Sequence, residues 1–111
     1  MDISEETKGA VVVLGPKGRI DSNTAKAFED KVLGVFDGGA KSIVLDLGGL
    51  GYISSAGLRV LLMAAKRAKA LDAKLALCAM QKSIKDVFDM SGFSPLFSIH
   101  KALDEAVASV A

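Results

Sequence analysis

Two adjacent hydroxyls, Ser54 and Ser55, follow a glycine-rich bend, Gly48-Gly49-Leu50-Gly51, and precede an apolar-periodic run that opens at Ala56-Gly57-Leu58. A helix beginning here presents unpaired backbone N–H groups and the positive end of its dipole to both serines. Such a position suits a helix N-cap, and it equally suits a serine that carries a phosphate. Arg59 falls in the first turn, where a cation is unfavourable to the helix dipole. A local acid, or an anion that comes and goes, would offset that cost. Asp46 closes the apolar run before the bend. It reads either as a carboxylate accepting backbone N–H groups of the following loop or as an acid lining the site beside the two serines.

Other chemistries find less support. A serine hydrolase needs a base within reach of its nucleophile, and the chain has one histidine, His100. The pattern G-x-S-x-G fails around Ser55, because Ile53 stands at the first glycine position. The Gly48–Gly51 bend lacks the Lys-Ser or Lys-Thr pair of a phosphate loop, and Gly15-Pro16-Lys17-Gly18 does not open a helix. No cofactor is therefore expected. One cysteine, Cys78, and one histidine make no zinc cluster, and Cys78 reads as a small buried residue. A net charge of +1, no tryptophan and a single tyrosine give nucleic acid little to bind. The longest apolar runs fall short of a membrane span, and Met-Asp-Ile-Ser-Glu-Glu is no secretory leader, so a cytoplasmic protein is expected.

The elements that must position the serines follow from periodicity. With 111 residues, one domain over 1–111 is expected. Met1 to Lys8 are polar, and are expected to be flexible or to pair only at a sheet edge. Ala10 to Leu14 is a β-branched strand, Gly15-Pro16-Lys17-Gly18 a turn, and Arg19-Ile20 a short return strand. Asp21-Ser22-Asn23-Thr24 is a capping cluster before a helix whose inner face is Ala25, Phe28, Val32, Val35 and Phe36. Gly38-Gly39 stops it. Ser42 to Leu47 is apolar with almost no alternation, as in a strand covered on both faces.

The next helix carries its stripe on Leu58, Leu61, Leu62, Ala65 and Ala68. Its Arg and Lys residues read as a solvated face. Leu75 to Met80 is a further buried strand. A helix then starts at Ser83 with Asp86 approximating a capping box, Leu96 to Ile99 is a short strand, and a last helix shows Leu103, Ala106, Val107 and Val110. The predicted order is ββαβαβαβα, an α/β domain with a mixed sheet of four or five strands and about four helices.

Ile43 to Leu47, then Tyr52-Ile53-Ser54-Ser55-Ala56-Gly57-Leu58-Arg59-Val60-Leu61, resembles the signature of STAS domains, and more narrowly of the bacterial anti-sigma factor antagonists. Gly18-Arg19-Ile20-Asp21 and Ser91-Gly92-Phe93 followed by Leu96-Phe97 extend the likeness over the whole chain. The resemblance implies the STAS fold and a partner-switching role without enzymatic activity. The unphosphorylated antagonist binds an anti-sigma factor that is also a serine kinase, and so releases the sigma factor. The kinase, using its own ATP, phosphorylates a serine before the second helix, and a PP2C-type phosphatase restores it. By position Ser55 matches the phosphoacceptor, with Ser54 the fallback. Ser54 stands where relatives carry an aspartate, and Ala56 where many have a second hydroxyl. The implied partner surface comprises Asp21, Ser22, Tyr52, Ile53, Ser54, Ser55, Ala56, Gly57, Leu58 and Arg59, on a protein expected to be monomeric alone. The alternative it implies is a non-switching STAS scaffold in a stressosome-like or lipid-transport assembly.

Overall fold

One long strand sets the frame. In the computed structural model, which describes residues 1–111, β2 (Val11–Ile20) runs ten residues and borders three other strands. Along one edge lies β1 (Asp2–Lys8), antiparallel from Asp2↔Lys17 to Lys8↔Val11. Along the other edge lie two parallel strands in succession. The first half of β2 pairs with β3 (Ser42–Asp46) through Val12↔Ile43 to Leu14↔Leu45. The second half pairs with β4 (Leu50–Ile53) through Gly18↔Leu50 to Ile20↔Ile53. Parallel β5 (Lys74–Cys78) and β6 (Ser98–His100) complete the order β1-β2-β3-β5-β6, with β4 attached to β2 alone.

Three corrections to the predicted order follow. The first hairpin turns at Gly9-Ala10, not at Gly15–Gly18, and of the two expectations for the polar N-terminus the sheet edge holds and the flexible segment does not. Gly15, Pro16 and Lys17 sit where β3 has ended and β4 has not begun, which lets turn-like residues lie within a strand. Second, the glycine-rich bend contains β4, giving six strands. Gly18, at φ +91°, supplies the register shift that admits β4, and its N–H donates to the Gly49 carbonyl at 2.9 Å. Third, Ser94–Leu96 forms a single 3-10 turn around Pro95, and β6 begins only at Ser98.

The helices are α1 (Ala25–Asp37), α2 (Ser55–Ala70), α3 (Lys82–Met90) and α4 (Leu103–Val110). Alternation along the strands divides the core. Leu14, Ile43, Leu45 and Leu77 face a layer built from α1, α2 and α3, with Phe28, Phe36, Leu61 and Phe88 fully buried. Val11, Val13, Val44, Ala76 and Cys78 face α4 through Ala106 and Val110. The α2 stripe differs from expectation by two residues. Val60 and Ala64 are buried, while Leu62 and Ala65 are only half-buried. α3 starts one residue early and lacks the expected capping box. Asp86 instead pairs with Lys82 at 3.0 Å.

Candidate functional site

β4 delivers the two serines to the end of β2. The Ser54 N–H donates to the Ile20 carbonyl at 2.8 Å, which fastens the end of β4 to the end of β2. Ser54 then has extended backbone at φ −91°, ψ 174°, and its Oγ accepts the Gly57 N–H at 3.3 Å. Ser54 is therefore the N-cap of α2. Ser55 is the first helical residue, is exposed, and its hydroxyl bonds to no other group of the chain. The amides of Ser55 and Ala56 have no intrahelical acceptor, as the first turn of any helix requires. The two hydroxyls thus differ: Ser54 caps the helix and Ser55 is free.

Gly57 sets the distance between this helix end and the sheet. A Cβ there would lie 2.6 Å from Ile53 Cγ1 and 2.7 Å from Ile20 Cγ2, both buried branched side chains. Only glycine lets α2 start this close to β2 and β4.

Around the serines the surface is polar. Arg19 and Tyr52 are a cross-strand pair, with the guanidinium carbon 4.1 Å from the ring centroid. Arg19 also reaches Asp21 at 3.7 Å. Asp21 accepts the Asn23 N–H at 2.9 Å. That bond, with help from Thr24 and the charge of Arg19, holds its carboxyl below the ordinary carboxylate range. Thr24 occupies the N-cap position of α1 without capping it. Its hydroxyl accepts the Asp21 N–H and lies 2.9 Å from the Arg19 carbonyl, which closes the loop on itself. Arg59 is exposed and has no acidic partner.

The expected surface residues divide by burial. Asp21, Ser22, Tyr52, Ser54, Ser55, Ala56 and Arg59 reach solvent, whereas Ile53, Gly57 and Leu58 are buried and position the others. Arg19, absent from the expected surface, lies against Tyr52 of it, and this cross-strand contact depends on a strand that the bend concealed. Asp46 stands apart. Its Oδ1 accepts the Gly48 N–H at 3.0 Å, the loop-bracing reading. It ends the strand that stops pairing with β2 at Leu14, six residues short of Ile20, or roughly 20 Å along the strand. His100 lies on β6, across the sheet from β4, with Nε2 2.9 Å from Ser98 Oγ. It cannot serve Ser55 as a base. No helix is long and apolar enough to cross a membrane.

A family model described as the STAS domain matches residues 2–106. BtrV of Bordetella bronchiseptica, an anti-sigma factor antagonist by name, is 38% identical over 93 residues, covering 84% of this chain and 80% of BtrV. Among solved structures, an anti-sigma factor antagonist from Mycobacterium paratuberculosis superposes with a TM-score of 0.90 at 23% identity, covering 98% of this chain and 92% of that one. The phosphorylated form of the Bacillus cell fate determinant SpoIIAA gives a TM-score of 0.74 at 20% identity, covering 99% of this chain and all of that one. At these identities the two structures establish a shared fold.

Proposed function

The chain belongs to the STAS domain family, and from that premise we propose that it is an anti-sigma factor antagonist switched by phosphorylation of Ser55. The observation that carries the reading is the free, exposed Ser55 hydroxyl at the first position of α2, beside a separate N-cap, Ser54. The unmodified protein docks on an anti-sigma factor serine kinase through Ser55 and its solvent-exposed neighbours, and the kinase gives up its sigma factor. The kinase supplies ATP. Ser55 Oγ attacks the γ-phosphorus, the bond to the β-phosphate oxygen breaks, ADP leaves, and the hydroxyl proton passes to the kinase. A PP2C-type phosphatase reverses the change by hydrolysis. The phosphate carries about two negative charges at neutral pH. An interface fitted to a neutral hydroxyl loses affinity when it must desolvate a dianion.

The test is direct. Purified protein incubated with its cognate anti-sigma kinase and ATP should gain one phosphate at Ser55 by peptide mapping. Ser54→Ala should retain the modification and Ser55→Ala should lose it. Ser55→Asp should weaken kinase binding by about 1–3 kcal/mol, the cost of a buried polar or charged group left unpaired. Equal affinity of Ser55→Asp and wild type would refute the switch.

A further inference from the structure

The outward face of α2 is built differently from every other helix of the protein. α1 pairs Lys26 with Asp30, and α3 pairs Lys82 with Asp86 and Lys85 with Asp89, each at i,i+4. α4 carries acids and no cation. α2 carries Arg59, Lys66, Arg67 and Lys69 and no acid at all. Only Arg67 finds a carboxylate, that of Asp37 at the end of α1. At 100° per residue, Ser55, Arg59, Met63 and Lys66 fall on one outward stripe, with Lys69 at its flank. Met63 is 38% exposed in the middle of it. The whole chain nets only +1, so this concentration is local. Arg59 sits where the helix dipole opposes it, which places a uniformly cationic face directly against the free hydroxyl.

We propose that this face, from Ser55 through Arg59 and Met63 to Lys66, docks on an acidic protein surface of the partner, and that phosphate on Ser55 acts by cancelling the cations that attract it. The proposal rests on the function proposed above and adds the charge character of the partner. Charge complementarity governs the rate of encounter more than the lifetime of the complex. A dianion at the head of the stripe neutralises Arg59 and its neighbour charges, so modification slows encounter as well as weakening the final fit.

The experiment measures association of the purified cognate kinase by stopped flow, in low salt and in about 0.3 M salt, where exposed charges are screened. Arg59→Glu/Lys66→Glu is compared with Lys8→Glu/Lys101→Glu, an equal change of net charge placed elsewhere on the surface, after circular dichroism and melting confirm that both fold. The expected result is a wild-type rate constant that falls about tenfold or more with salt, a comparable loss for the α2 variant in low salt, and little change for the control. Binding with a rate indifferent to salt and to both variants overturns the inference and leaves the switch standing. No binding by wild type overturns both. A parallel arm uses phosphatidylglycerol vesicles. Vesicle binding that is lost in the α2 variant, with kinase association unaffected, assigns the face to a membrane surface and overturns the inference too.

Discussion

Ser54 and Ser55 are neighbours in sequence, but only Ser54 caps α2, and the difference makes its own prediction. Ser54→Ala removes the side-chain acceptor of the Gly57 N–H and should cost about 0.5–2 kcal/mol in denaturant unfolding. Ser55→Ala, which breaks no bond, should leave stability unchanged within about 0.5 kcal/mol. Gly57→Ala should cost more, about 1–3 kcal/mol, since its methyl overlaps Ile53 and Ile20 and forces α2 away from the sheet. On the function proposed above, kinase binding should fall with it. Cys78 gives a pH prediction. Burial, with the Asp46 carboxylate opposite it in the parallel register, pushes its thiol up to about 11. An unfolded thiol ionises near ~8.5. Between those values the unfolded chain holds fewer protons than the folded one, so stability falls as pH rises from about 8.5 to 11. Unfolding curves of wild type and Cys78→Ala across this window should show a steeper decline for wild type.

The elements show which sequence signals could be read and which could not. The α1 face, the Gly38-Gly39 stop and the doubly covered β3 were legible because periodicity and burial agree there: Phe28, Val32 and Phe36 are buried, as are Ile43, Val44 and Leu45. β4 was not. Four residues with a central glycine and an exposed Tyr52 show no strand pattern, and the strand exists only because β2 extends far enough to receive it. Pro16 misled in the opposite sense, since turn composition says nothing about a gap between neighbours. At the site, the hydroxyl pair before an apolar run located the start of α2. Which hydroxyl caps it is decided by the backbone of Ser54, fixed through Ile20, a contact 34 residues distant in sequence. The Arg19–Tyr52 contact was hidden for the same reason. The charges of α2 were visible, but their lack of acidic partners emerges only from comparison with the pairs on α1 and α3.

Across the whole molecule, β1 covers one edge of the longest strand from Val11 to Lys17. Removing residues 1–8 should expose the backbone of β2 from Val11 to Lys17 and drive self-association, measurable as a concentration-dependent increase in mass by light scattering. Full-length protein at equal concentration should not show it, because β1 presents Glu5, Glu6 and Lys8 at the new edge. The opposite border of β2 has another consequence. β4 rests on that strand alone, joined to β3 by a three-residue crossing and held otherwise by its buried ends, Leu50 and Ile53. A hinge of this kind lets the serine-bearing corner fray while the five-strand spine stays shut. Amide exchange should therefore be quicker at Tyr52 and Ile53 than at Val44 and Leu45, and whatever grips the corner will register as slowed exchange there before the melting temperature moves.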